Sequence, residues 1–209
     1  MRLIILGPPG SGRETVAEVL AADMGVPTIT ARDTFQSGVR ANTPAAVEAM
    51  RLMRTGRLVP KRVGLALLRD RLTRPATVTG FVLDGFPSHA GSPEAIDVML
   101  ADVGATVDRV VDLVLPDAEA VRRIVGRRVC RGCSRRWSAD DAVPGREVCD
   151  GCGGEIFQRP DDDADLVADQ LRSYRAHMAH VVDHYQSLGR LICVDAALPP
   201  TEIAARVLA

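Results

Sequence analysis

Two groups of residues have types and spacings that could do chemistry. The first is the stretch GPPGSGRETV, residues 7–16, directly after the apolar run LIIL. Gly7, Gly10 and Gly12 let the backbone turn sharply and approach a ligand closely, with Pro9, Ser11 and Thr15 between and after them. Placed between a strand and a helix, such a loop turns several backbone N–H groups onto one anion, and the helix adds its positive end. The generic pattern G-x-x-x-x-G-K-[ST] is broken twice. Arg13 keeps the charge on a bulkier, planar head, and Glu14 adds a negative charge near where phosphate oxygens would lie. The alternative is a plain glycine turn in which Glu14 favours the helix dipole.

The second group is a cysteine quartet. Cys130-x2-Cys133 and Cys149-x2-Cys152 are separated by 15 residues. Each pair can place two thiolates on one tetrahedral ion, and the intervening length lets a hairpin bring the pairs together. Four protein ligands leave no open position, so a Zn2+ ion here would be structural. Arg127, Arg128, Arg131, Arg135 and Arg136 lie around the first pair and support a competing zinc-ribbon contact with nucleic acid. Trp137 is expected to pack the metal knuckle.

These groups need a scaffold to hold them. Residues 2–6 read as a short buried strand, and 13–24 as a helix with Val16, Ala17, Leu20 and Ala21 at helical spacing. Strand character returns at 78–83, 110–115 and 190–194, with a further short candidate at 26–29. Helical patterns occupy 62–72, 93–101, 117–127 and 164–187. This alternation predicts an α/β fold, a parallel sheet covered by helices on both faces. Residues 30–59 are helical but mixed in polarity, and 129–159 are rich in Cys, Gly, Arg and Asp; both read as inserts. Cys193, inside LICV, is expected in the core. His177, His180 and His184 share one helix and read as a partly solvated face.

Composition limits the partners. The 209 residues carry a formal net charge of −1 and only 3% aromatics, which argues against nucleic acid and anionic membrane surfaces. No apolar segment approaches the roughly 18 residues of a membrane span, and the N-terminal apolar run is too short for a signal peptide. Cysteines in metal-type pairs suit a reducing compartment, so a cytoplasmic protein is expected. Of 26 basic residues only Lys61 is lysine, so Arg13 alone is weak evidence of a lost function.

A glycine loop at the start and a cysteine-pair insert near residue 130 resemble one family over essentially the whole chain: the long-lid adenylate kinases in their zinc-lid form. GPPGSGRET resembles the family's phosphate loop, GFVLDGFP its second nucleotide-site segment, and RIVGRRV and QRPDDDAD the two ends of its lid. GRLV resembles the edge of its monophosphate-binding insert. The resemblance implies a P-loop core made of residues 1–29, 60–127 and 160–209, a monophosphate lobe at 30–59 and a zinc lid at 128–159. It implies ATP with Mg2+, a nucleoside monophosphate as second substrate, and a monomer. ATP phosphates would meet residues 7 and 9–15. Arg123 and Arg127, four apart on one predicted helix, would face the transferring phosphate together, and Arg159 would join them on lid closure. Asp84 matches the carboxylate that holds magnesium through water. Asp161 and Asp162 match lid-hinge carboxylates, with capping of the helix from 164 as an equal alternative.

The departures concentrate on the monophosphate. The family pattern has arginine at 36, 88 and 170 and reads adenine with threonine at 31 and glutamine at 92; this chain has Gln36, Ser88, Gln170, Ala31 and Ser92. Arg57, Val59, Gly85 and Phe86 retain expected monophosphate-site places, and Arg32 or Arg40 could reach its phosphate. The expectation is a nucleoside-monophosphate kinase with an altered acceptor site; the alternative is a nucleotide-binding regulator with little transfer activity.

Overall fold

A computed structural model describes residues 1–54, 59–86, 92–141 and 147–209. Its centre is a parallel sheet of five strands: β1 (Arg2–Leu6), β2 (Thr28–Thr30), β3 (Phe81–Asp84), β4 (Arg109–Val114) and β8 (Leu191–Asp195), in the order β2-β3-β1-β4-β8. Successive side chains of a strand point to opposite faces. Leu3 and Ile5 therefore enter one core with α1 (Arg13–Met24) and α8 (Pro200–Leu208), while Ile4 and Leu6 enter a second with α4 (Lys61–Leu72), α5 (Pro93–Asp102) and α7 (Ala164–Ser187). A strand buried on both faces must be apolar throughout, which is why RLIIL carries no internal polar residue. Each such Leu or Ile contributes about 1.5–3 kcal/mol on burial. The chain leaves β1 toward β3 on one side and reaches β4 on the other, so the loop after β1 lies at the switch point, where parallel sheets bind ligands.

Two smaller units branch from this sheet. Residues 31–54 form α2 (Ala31–Arg40) and α3 (Pro44–Arg54), which pack Ala46 and Ala49 against Val63 and Leu67 of α4. After α6 (Asp117–Gly126), β5 (Arg128–Cys130), β6 (Arg136–Trp137) and β7 (Ile156–Phe157) make an antiparallel sheet in the order β6-β5-β7.

The fold departs from the sequence reading at four places. Val78 is 70% exposed, outside β3, because residues 75–77 form a 3-10 turn and Gly80 turns the chain into the strand at φ 153°. Cys193 is exposed, not core, because β8 is an edge strand with its outward positions open. Helix α6 ends at Gly126, so Arg127 stands in extended backbone (φ −64°, ψ 141°) rather than on a helical face with Arg123. Helix α8, not anticipated, buries Ile203, Ala204 and Val207.

Candidate functional site

The phosphate-loop stretch begins where β1 delivers Gly7 to the carboxyl edge of the sheet. Gly10 and Gly12 have φ of 83° and 75°, the left-handed region where a side chain is strained. Space is also short: a Cβ on Gly7 would meet Ser11 Oγ at 2.5 Å, and one on Gly10 the Ala120 carbonyl oxygen at 3.1 Å. The turn closes with Ser11 N–H donating to the Pro8 carbonyl at 3.1 Å. Gly12 is the N-cap of α1 and brings no side chain to the first-turn amides, which leaves them for an external acceptor. Ser11 Oγ is buried without a hydrogen-bond partner among the described residues. An uncapped helix start over a glycine nest fits an anion.

Arg13 and Arg123 reach carbonyls of the loop itself, and Arg13, Arg123 and Arg127 each hold an acidic partner. Arg13 Nε pairs with Asp84, which is 8% exposed, and Arg13 Nη1 donates to the Gly7 carbonyl at 3.2 Å. The Arg13 head also lies over Gly85, whose φ is 76° and where a Cβ would stand 3.0 Å from Nη2. Arg123 Nε donates to Glu119 at 2.7 Å, and its Nη1 reaches the carbonyls of Ala196 at 3.1 Å and Gly10 at 3.5 Å. Hydrogen bonds from Arg122 and Arg123 hold the Glu119 carboxyl down to about 2. Arg127 forks onto Asp162, which is fully buried, with Nε to Oδ2 at 3.2 Å. Asp162 thus ties the chain before α7 to the end of α6; Asp163 caps α7, accepting from Asp165 N–H at 3.0 Å and Leu166 N–H at 3.2 Å. Asp161 is exposed. Arg159 is half-buried, and its carbonyl accepts from Asp162 N–H at 3.0 Å. Glu14 meets Arg136 of β6 at 2.7 Å, and Thr15 is exposed.

The positions expected to contact a monophosphate are more open. Thr30 caps α2, its hydroxyl accepting from Asp33 N–H at 3.0 Å and donating to the Asp33 carboxylate at 2.8 Å. Ala31, Arg32, Gln36 and Arg40 are exposed on α2, and Gln170 is exposed on α7. Val59 packs on the small helical cluster, and Phe86 is buried. Ser92 caps α5, accepting from Ala95 N–H at 3.2 Å. Arg57 and Ser88 lie outside the described residues.

The four quartet sulfurs lie within 4.8 Å of one another, with Cys130–Cys152 at 3.4 Å and Cys133–Cys149 at 3.7 Å. A tetrahedral zinc thiolate site with bonds of about 2.3 Å needs sulfurs about 3.8 Å apart, so the cluster fits such an ion. Gly154 leaves the room: a Cβ there would come within 2.9 Å of Cys130 Sγ. The backbone N–H of Cys133 pulls the Cys130 thiol down to about 7, toward the thiolate a metal requires. Trp137 packs with Cys130, Cys149 and Ile156. Arg131 lies 4.0 Å over Phe157 and pairs with Glu155, and Arg135 lies 5.2 Å over Trp137 and pairs with Asp150. Of the arginines that could have met nucleic acid, Arg131 and Arg135 are engaged within the insert, while Arg136 meets Glu14 of α1 and Arg127 meets Asp162.

Sequence reasoning missed the acidic partner Glu119 and also Tyr174, and it named Asp162 without its pairing to Arg127. The Tyr174 hydroxyl on α7 is buried without a hydrogen-bond partner among the described residues; burial, then the nearby Asp112 charge, pushes it up to about 12. No helix among the described residues is long and apolar enough to cross a membrane.

Comparison with known proteins agrees with this arrangement of loop, sheet and cysteine insert. A family model described as adenylate kinase matches residues 5–190. An adenylate kinase of Salinispora tropica is 43% identical over 209 residues, spanning 100% of this chain and 96% of the relative. One from Acidothermus cellulolyticus is 40% identical over 210 residues, covering 100% and 97%. One from Carboxydothermus hydrogenoformans is 37% identical over 208 residues, covering 99% and 97%. With the family model matching residues 5–190 and a relative 43% identical over the full 209 residues, the chain belongs to the adenylate kinase family.

Proposed function

We propose that this chain is a nucleoside-monophosphate kinase that moves the γ-phosphoryl group of Mg-ATP reversibly onto AMP or another nucleoside monophosphate, giving two nucleoside diphosphates. The observation that carries the reading is the uncapped first turn of α1 over a glycine nest, with Arg13, Arg123 and Asp84 beside it. Residues 1–29, 60–127 and 160–209 act as the core, 30–59 as the monophosphate lobe and 128–159 as the lid. Phosphoryl transfer asks a protein mainly for positioning and charge, with water kept out.

The main-chain N–H groups at residues 12–15 donate to the polyphosphate oxygens. Arg13 turns from Asp84 and the Gly7 carbonyl toward the β- and γ-phosphates. Arg123 and Arg127 leave Glu119 and Asp162 to stabilise the transferring group, and Arg159 approaches from the far lid hinge. Arg13, Arg123 and Arg127 are each held by a carboxylate that they exchange for phosphate. Magnesium bound with the triphosphate supplies further positive charge. Asp84, once released by Arg13, would be the carboxylate that holds that ion. Zinc, held by Cys130, Cys133, Cys149 and Cys152, supplies lid stiffness and no chemistry. Thiol ligands suit a reducing cytoplasm, and the reading takes the protein to act as a monomer.

One observation favours weak transfer with retained nucleotide binding. Gln36 and Gln170 are exposed and uncharged where the family uses arginine. A coupled phosphotransfer assay on zinc-loaded protein across AMP, GMP, CMP and UMP tests the kinase reading. ADP formation with at least one acceptor is expected. ATP binding with no transfer to any of the four would replace the kinase with the regulator.

A further inference from the structure

We propose that Glu14 and Arg136 form a latch that draws the lid onto the phosphate loop before any nucleotide arrives, so that the two act as positioning residues for lid closure. From the reading above it takes only that residues 128–159 move as a lid.

The pair joins the first turn of α1 to strand β6 across 122 residues of chain, with Arg136 Nη1 2.7 Å from Glu14 Oε2. Its neighbours on the lid are used differently. Arg131 and Arg135 satisfy themselves inside the lid on Glu155, Asp150 and two aromatic rings. Arg136 is carried outward because the adjacent Trp137 is 6% exposed and anchors β6 to the cysteine cluster, and alternation along the strand puts the two side chains on opposite faces. Glu14 stands where the family pattern has a small residue. Alone, its carboxylate at the mouth of an anion site would repel a polyphosphate; paired, its charge is cancelled by a lid residue. Two contacts at the hinge set the lid's approach: Arg122 grips Asp140 at 2.6 and 3.1 Å, and a Cβ on Gly126 would stand 2.8 Å from the Ala139 Cα, so the chain there passes tightly over α6. The latch partners are 57% and 54% exposed, so the latch is weak enough for a polyphosphate to open it.

Hydrogen exchange on the zinc-loaded, nucleotide-free full chain tests this, read on peptides covering residues 8–24 and 126–141. Glu14→Gln and Arg136→Gln should each speed exchange about 1.5- to 5-fold at low salt, the range an exposed ion pair can supply. The double variant should exceed neither, and Glu14→Arg combined with Arg136→Glu should return exchange to the wild-type rate. At about 0.5 M salt the difference between wild type and variants should shrink. Single variants that exchange like the wild type overturn the latch. So do effects that add in the double variant, or a charge-exchanged protein, with full zinc content, that stays as fast as the singles. Since no nucleotide is present, a failed phosphotransfer assay leaves this measurement standing.

Discussion

Replacing Arg127 with methionine leaves the Asp162 carboxylate fully buried and without its guanidinium. Removing one partner of a buried ion pair costs about 3–5 kcal/mol, because the remaining charge keeps its desolvation penalty. Arg127 is 30% exposed and Asp162 0%, so water recovers part of the arginine's share and about 3 kcal/mol is the expected loss. For a chain of this size each kcal/mol lowers Tm by about 2–4 °C, which gives roughly 6–12 °C. Asp162→Asn keeps the shape and a neutral acceptor for the guanidinium, and should cost about 1–2 kcal/mol. The double variant should be more stable than Arg127→Met alone by about 1 kcal/mol, since no charge is then stranded. Urea unfolding of the zinc-loaded proteins, followed by circular dichroism, measures all four. An Arg127→Met loss under about 0.5 kcal/mol, or single losses that simply add, would refute the claim that this buried pair ties the end of α6 to the chain before α7.

Removing metal should unfold the insert first. Chelation, or Cys130→Ser, should lower Tm and speed exchange in residues 128–141 and 147–157 while β1 and α1 stay protected, and metal analysis of untreated protein should find one zinc per chain. Restoring the missing cations should raise transfer: Gln36→Arg with Gln170→Arg adds two charge-assisted contacts of about 1.5–3 kcal/mol each, or roughly 10²–10⁴-fold in kcat/KM for AMP if both form. Steady-state kinetics with varied AMP would show it, and no gain would place the deficit elsewhere. Burial raises the Asp112 pKa, with Arg175 opposing. A carboxyl raised on folding favours the folded state while protonated, and that advantage is lost as pH rises from its unfolded value of 3.8 through the raised one. Asp112→Asn should therefore gain stability over the wild type at pH 7 and show little difference near pH 3, read from Tm against pH.

Local signals carried much of the fold into the sequence. The strand Arg2–Leu6 and the helices Arg13–Met24 and Ala164–Ser187 are bounded as their apolar patterns and flanking glycine, aspartate and turn residues require. The cysteine spacing announced a four-thiol cluster because a metal site tolerates few geometries. What the sequence hid depends on neighbours distant along the chain. Cys193 reads as core from LICV, yet β8 ends the sheet and one side of that residue stays open. Arg123 and Arg127 are spaced for a shared helical face, but Gly126 closes α6 and sends Arg127 to Asp162. Pairings such as Arg13–Asp84, Arg123–Glu119 and Arg136–Glu14 follow no spacing rule across elements, so an arginine count gave the charge at the site without its partners.

The central claim is that the loop after β1 holds a polyphosphate. Isothermal titration of ATP with Mg2+ into zinc-loaded protein, beside Gly10→Val, which forces a side chain against the Ala120 carbonyl in a left-handed backbone, tests it most directly. The account predicts saturable one-site binding by the wild type that is lost in a still-folded Gly10→Val protein. Absence of binding to the wild type, or equal binding by both, would contradict it.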